Sequence, residues 1–216
     1  MALFTVIGLG SFGATVATEL TRLKHDVIGI DLVKRHVENI GDQLSHAVIA
    51  DATDEHVLEE LNIQDCDAVV VAIGEDIEAS ILCVLHLKNM GVNKIWVKAK
   101  TKAHHMILSH LGIDKIIHPE EDMGVRVAQA LNYPMVSRYM ALEDDHFIVR
   151  INIENKLEGV HLFGLINQVA KVHLLLLKRG KEIFYEPAPD FTLKYGDILI
   201  IEGSLEQLQR LSMRFL

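Results

Sequence analysis

Gly8-Leu9-Gly10-Ser11-Phe12-Gly13 has the spacing G-x-G-x-x-G, and it stands where that spacing has physical meaning. The apolar run Leu3 to Ile7 precedes it, and a segment with Val16, Leu20 and Leu23 on one helical face follows. In that setting Gly8 permits a tight turn, Gly10 lets backbone approach a phosphate, and Gly13 lets helix and strand pack closely. The helix N-terminus adds unsatisfied N–H groups and partial positive charge, which suit an anion. Asp31 follows Gly8 by 23 residues, at the end of the second apolar run, Val27 to Ile30. Its carboxylate can accept both ribose hydroxyls of an adenosine and would repel a 2′-phosphate. Lys34 and Arg35 lie close by, so NADP is disfavoured rather than excluded. Together these residues predict an adenosine-nucleotide site. Asp51, after a third run Ala47 to Ile49, has two open roles: the adenine side of that site, or a cap on the helix that follows.

Nothing in the chain supplies a reaction at the other end of the nucleotide. A Tyr-x-x-x-Lys pair is absent, because the residues four after Tyr133, Tyr139, Tyr185 and Tyr195 are Ser137, Glu143, Pro189 and Leu199. His104, His105 and His110 lack the i, i+4 spacing of HExxH and read as helix-surface histidines. Asp54-Glu55-His56 reads as a helix start rather than a metal site. Cys66 and Cys83 form no CxxC, so two buried thiols in a reducing cytosol are expected. Catalysis finds no residues here.

Composition narrows the remaining classes. The 216 residues carry 21 Lys+Arg against 30 Asp+Glu, a net −9, and no run of basic residues that a duplex-binding face would need. With 6% aromatics there is little to stack single-stranded nucleic acid, so no nucleic-acid partner is expected. Half the residues are hydrophobic, which excludes a disordered chain. No apolar run approaches the roughly 18 residues of a membrane span. The N-terminus enters a strand-like segment directly, without a basic region or cleavage site, so secretion is not expected.

The elements that must position these residues alternate. Strands are predicted at Leu3 to Ile7, Val27 to Ile30, Ala47 to Ile49, Ala68 to Ile73, Ile95 to Ala99 and Lys115 to Ile117. Helices follow the glycine turn, Asp54, Glu78, His104 and Asp122. The fold class is thus α/β, a Rossmann-type, doubly wound, parallel six-stranded sheet over residues 1–133. Asn132-Tyr133-Pro134 breaks the pattern, and the stretch to Asp145 reads as a connection. Residues 134–216 then form a small α+β domain. Its strands are predicted at Phe147 to Ile153, Val172 to Lys178, Ile183 to Tyr185 and Ile198 to Ile201, with a short helix after Gly159 and a last one over Leu205 to Leu211.

Five motifs occur in order: the glycine turn, Ala50-Asp51-Ala52-Thr53, the segment Val71 to Ser80, Ile95-Trp96-Val97-Lys98-Ala99, and Ile116 to Gly124. With Lys178 to Glu182, Pro187-Ala188-Pro189 and Tyr195-Gly196-Asp197 they resemble the regulator-of-potassium-conductance (RCK or KTN) family, built of TrkA N-terminal and C-terminal modules. The resemblance is nearest to Ktr-type regulatory subunits of bacterial potassium uptake systems and covers nearly the whole chain. It implies a cytosolic protein, peripheral to the membrane, that binds ATP or ADP and has no enzymatic turnover. It also implies dimers in an octameric ring that gates a membrane-embedded potassium-translocating subunit. The nucleotide-binding set it implies is Gly8, Gly10, Ser11, Phe12, Gly13, Asp31, Asp51, Ala52, Thr53, Ile73, Gly74 and Lys98. Lys98 would face the cleft mouth, or else be a surface lysine on an edge strand. Glu120 matches a family position that helps hold a divalent cation, Mg²⁺ or Ca²⁺, near the terminal phosphate. Glu120, Glu121 and Asp122 equally suit the positive end of the helix they open.

Two departures qualify that picture. Ser11 stands where the family usually has an Arg that reaches a neighbouring γ-phosphate, which leaves the choice between ATP and ADP open. Asn167 stands where some relatives have an Arg for cyclic di-AMP, so that ligand is not expected. The alternatives are an NAD(H)-binding TrkA-like regulator and a small NAD-dependent oxidoreductase.

Overall fold

The computed structural model describes residues 1–132, 136–142 and 146–212. The chain divides into two compact units, Met1–Glu121 and Asp122–Leu216. The predicted break at Tyr133-Pro134 lies outside the described residues.

In the first unit six strands alternate with helices: β1 (Leu3–Ile7), α1 (Ser11–Arg22), β2 (Asp26–Asp31), α2 (Lys34–Ile40), β3 (His46–Ile49), α3 (Glu55–Glu60), β4 (Ala68–Val71), α4 (Ile77–Asn89), β5 (Ile95–Lys98), α5 (Lys102–His110) and β6 (Lys115–Ile117). The sheet is parallel throughout, in the order β3-β2-β1-β4-β5-β6. Every residue of β4 is buried, as a central strand covered on both faces requires. Val6, Leu9, Ala17, Val27, Val37 and Val70 form one core cluster, and the α3–α4–α5 side forms a larger one around Ile7, Leu58, Val69, Leu87 and Leu108. The order reverses between β1 and β4, so a crevice opens beyond their C-terminal ends.

The helix between β2 and β3 was not expected from the sequence. Its seven residues contain only Val37 and Ile40 as apolar contacts, both β-branched, and among the described residues no side chain caps it. Leu23 is a correction of another kind: it is the C-cap of α1 and 53% exposed, so the buried face of that helix ends at Leu20. His104 also departs from expectation. It faces inward from α5 at 1% exposure, rather than lying on the helix surface.

The remaining elements are α6 (Pro119–Asn132), β7 (Val136–Ala141), β8 (His146–Asn152), a π-helical segment Gly164–Ala170, β9 (His173–Arg179), β10 (Glu182–Phe184), β11 (Ile198–Ser204) and α7 (Leu205–Ser212). The five strands make an antiparallel sheet in the order β10-β9-β11-β8-β7. β7 corrects the reading of this stretch as a plain connection: it pairs with β8 from Val136↔Ile151 to Ala141↔Phe147. Val149, Ile151, Leu177, Leu199 and Ile201 carry the core of this sheet. The Asp197 carboxylate, 1% exposed, is clamped by Arg179 through Nε at 2.8 Å and Nη2 at 2.7 Å and also accepts the Lys194 N–H. That bidentate pair fixes the turn before β11.

Candidate functional site

The glycine turn joins the end of β1 to α1. Gly8 sits at φ +91°, and a Cβ there would meet the Ala72 carbonyl carbon at 2.9 Å. At residue 13 a Cβ would overlap the Gly8 carbonyl oxygen, so strand and helix meet only without a side chain. Gly10 differs: it is the N-cap of α1, and among the described residues nothing lies within 4 Å of where its Cβ would be. Among the described residues no side chain caps α1, and its first turn holds no acidic residue. Ser11, Phe12 and Gly13 supply the leading N–H groups of α1, next to Gly10. An approaching anion would find them there, together with the helix dipole.

Asp31 ends β2 alongside this turn. Its Oδ2 accepts the Leu9 N–H at 2.6 Å and its Oδ1 the Val33 N–H at 2.7 Å, so one carboxylate ties the glycine turn to the start of α2. His36 Nδ1 lies 3.0 Å from the same Oδ2. The side chain of Asp31 is 9% exposed, and that of His36 40%. No sequence signal marked His36: its five-residue offset from Asp31 becomes a contact only because the chain turns into α2.

Asp51 is the next carboxylate along the strand ends. Its Oδ1 accepts both the N–H and the hydroxyl of Thr53, at 2.9 and 2.7 Å, and these bonds hold its pKa below the usual carboxylate value. The cap of α3 is Asp54, which accepts the His56 N–H, so Asp51 shapes the turn and does not cap the helix. Ala52 is buried in that turn. Ile73 follows β4 and packs on the core.

Beyond β4, Gly74 makes room for a lysine. A Cβ at Gly74 would lie 3.1 Å from Lys98 Nζ, and that ammonium is 6.0 Å from the centre of the Phe12 ring. Lys98 Nζ reaches Glu120 Oε1 at 2.5 Å. The Lys98 side chain is 13% exposed; β5 lies inside the sheet, so it is not a lysine on an edge strand. The structure therefore brings Phe12, Gly74, Lys98 and Glu120 together, and sets Gly8, Gly10, Ser11, Gly13 and Asp31 around the turn. Lys98 holds the Glu120 carboxyl below its usual pKa. Among the described residues no group of three His, Cys, Asp or Glu side chains could hold a metal ion. Glu120 offers one carboxylate, whose Oε1 is paired with Lys98.

The geometry suits binding: backbone donors for an anion, an acceptor carboxylate at one side and a cation at the other. Two histidines at the rim of β6 were not combined in the sequence reading. His105 Nδ1 and His118 Nε2 are 2.8 Å apart, with the rings stacked. Among the described residues no helix is long and apolar enough to cross a membrane.

Comparison with known proteins adds the rest. The TrkA-N domain family matches residues 4–119. Ktr system potassium uptake protein A of Bacillus subtilis (strain 168) is 40% identical over 209 residues, covering 96% of this chain and 94% of that one. Ktr system potassium uptake protein C of the same organism is 39% identical over 214 residues, covering 99% and 97%. Among solved structures, a GsuK channel bound to NAD aligns with all of this chain at a TM-score of 0.61 and 12% identity, which speaks to the fold alone. This chain spans 39% of that channel's length. A family match over more than half of the chain, and near-40% identity across almost all of it, agree: the protein belongs to the TrkA-N domain family, alongside the Ktr potassium uptake proteins.

Proposed function

We propose that this protein is the nucleotide-binding regulatory subunit of a potassium uptake system, gating a membrane-embedded translocating partner from the cytosolic side. The observation that carries the reading is the extent of the likeness to Ktr protein A: it takes in 96% of the chain, the nucleotide-type crevice and the C-terminal sheet together. The ligand is ATP or ADP. When bound, such a nucleotide supplies a polyphosphate whose charge differs between the two forms.

The chain's own residues have distinct parts in this reading. The N–H groups at the start of α1 hold the phosphates, with Gly10 keeping the approach open. Asp31 takes the ribose, and the turn Asp51-Ala52-Thr53 borders the adenine. Ile73 and Gly74 line the crevice floor, and Lys98 meets the far phosphates. Ser11 is short and uncharged, so γ-phosphate recognition falls to Lys98 rather than to a side chain at the helix start. A divalent ion at Glu120 belongs to the same family picture. With one carboxylate, already paired to Lys98, the described residues alone do not complete such a site, and no step here depends on it.

Gating asks little of each site. Moving a two-state gate from 1:99 to 99:1 takes about 5.5 kcal/mol of differential binding. Spread over an octameric ring of these subunits, that is about 0.7 kcal/mol per site. One hydrogen bond or one screened ionic contact is of that size. The contact between Lys98 and the terminal phosphate suffices, with α6, which begins at Pro119 beside Glu120, as the element that carries the change.

The test is equilibrium binding of ATP, ADP, NAD and NADH to the purified protein, with Asp31→Ala as control, followed by capture of a potassium-translocating subunit. Adenosine di- or triphosphate binding that is lost in the variant supports the reading. Tight binding of NAD or NADH alone would move a TrkA-like regulator ahead of it. Hydride turnover on any substrate would refute the absence of enzymatic activity.

A further inference from the structure

Asp31 is the carboxylate assigned to the ribose, yet in the folded chain it is already engaged. Its Oδ2 holds the Leu9 N–H and faces His36 Nδ1, and its Oδ1 holds the Val33 N–H. A carboxylate offers about four lone-pair positions. Three are taken, so one is open, whereas a vicinal diol asks for two. The two backbone donors are built into the turns on either side of Asp31. His36 is the donor that can leave: its side chain is 40% exposed and rotates without moving the backbone. The neighbouring charges of α2, Lys34 and Glu38, pair with each other at 3.3 Å.

We propose that His36 is a specificity-determining residue of the nucleotide site, competing with the ribose diol for Asp31. The inference rests on the nucleotide-binding reading and sharpens it. A nucleotide with one hydroxyl takes the open position and leaves His36 where it is. An intact diol takes a second position only by expelling the imidazole, exchanging one hydrogen bond to the carboxylate for another of the same kind. His36 therefore flattens the difference between ribonucleotides and their deoxy counterparts, and it lowers affinity for the intact ribose.

The experiment titrates ADP and 2′-deoxy-ADP into the full-length protein at one pH, using the parent, His36→Ala, His36→Asn and Asp31→Ala. In the parent the two ligands should differ by about threefold or less, since a bond gained is offset by a bond lost. In His36→Ala the ratio should widen to about tenfold, through tighter ADP binding, because both hydroxyls then find acceptors. Asn can present an amide N–H where Nδ1 stands, so His36→Asn should return the ratio toward the parent's. An unchanged ratio in His36→Ala, with ADP still bound, overturns the role of His36 and leaves the nucleotide site intact. If neither the parent nor any variant binds an adenosine nucleotide, the underlying reading fails and takes this inference with it.

Discussion

The Lys98 ammonium stands 2.5 Å from Glu120, beside Gly74 and 6.0 Å from the centre of the Phe12 ring, so this cation is held by a carboxylate rather than left to solvent. This makes Glu120 a competitor of any phosphate for Lys98. In magnesium-free buffer, Glu120→Gln should tighten ATP binding by about threefold to tenfold, and Lys98→Gln should weaken it by about tenfold or more. AMP, whose single phosphate stays near the glycine turn, should respond far less. If Glu120 instead works with a cation, adding Mg²⁺ will reverse the sign of the Glu120→Gln effect. Calorimetric titrations with and without the ion distinguish the two.

The glycines of the turn should separate by consequence. Gly13→Ala drives a Cβ into the Gly8 carbonyl oxygen, a backbone atom that cannot step aside. Overpacking of this kind costs about 1–3 kcal/mol or more, so urea unfolding should shift to clearly lower concentration. Gly10→Ala meets nothing within 4 Å among the described residues. Its unfolding midpoint should stay close to the parent's while nucleotide affinity falls, because the methyl group occupies the ground where a phosphate would sit. Equal destabilisation in the two variants would contradict the division of roles.

The parts of the fold that the sequence disclosed are those whose pattern is local. β1 and β4 are short apolar runs flanked by turn residues, and the G-x-G-x-x-G lies directly between strand and helix. What stayed hidden depends on neighbours far along the chain or on weak local signals. α2 buries mainly Val37 and Ile40, too few for a clear period. β7 is defined by its pairing with β8, next to a proline and an acidic run that suggest a loop. His104 is one of several histidines on one helix, and only the packing of α5 on the sheet makes it the buried one. Lys98 and Glu120 meet because β5 and β6 are adjacent, which no residue spacing displays. Asp31 was legible as an acceptor, but its existing bonds to Leu9, Val33 and His36 were not.

The buried imidazole of His104 should give the protein an acid-sensitive stability. Its Nδ1 accepts the Lys100 N–H at 3.3 Å, which leaves the proton of the neutral ring on Nε2, where no partner is found among the described residues. Protonating Nδ1 would set two donors against each other. Burial, with a smaller contribution from His118, accordingly lowers the pKa of His104 in the folded state. The unfolded chain then binds the proton more readily than the folded one, so stability falls as pH drops below the ordinary value of about 6.5. One such group contributes at most about 1.4 kcal/mol per pH unit. Urea unfolding at pH 7.5, 6.5 and 5.5 should show this loss in the parent. His104→Gln, which cannot titrate, should show a shallower dependence even if it is less stable at pH 7.5. Parallel dependences would mean that other groups carry the acid sensitivity.

The two cysteines should report when the first unit opens. Cys83 is fully buried on α4, and burial, with some help from the charge of Asp51, pushes its thiol up to about 12. Cys66 is 3% exposed, and burial raises its pKa despite the hydroxyl of Thr5 at 3.1 Å. Only a thiolate attacks an aromatic disulfide reagent, and at pH 8 neither thiol supplies much of it in the folded state. The native protein should therefore react slowly with both thiols, while unfolding in guanidinium releases both at once. Because a ligand that binds only the folded state suppresses opening by 1 + [L]/Kd, a nucleotide at 100 times its Kd should slow the reaction about 100-fold. Asp31→Ala should abolish that protection without speeding the ligand-free reaction to the same degree. Rapid modification of the native protein would show that the core around Val69, Val84 and Leu87 opens far more easily than its packing implies.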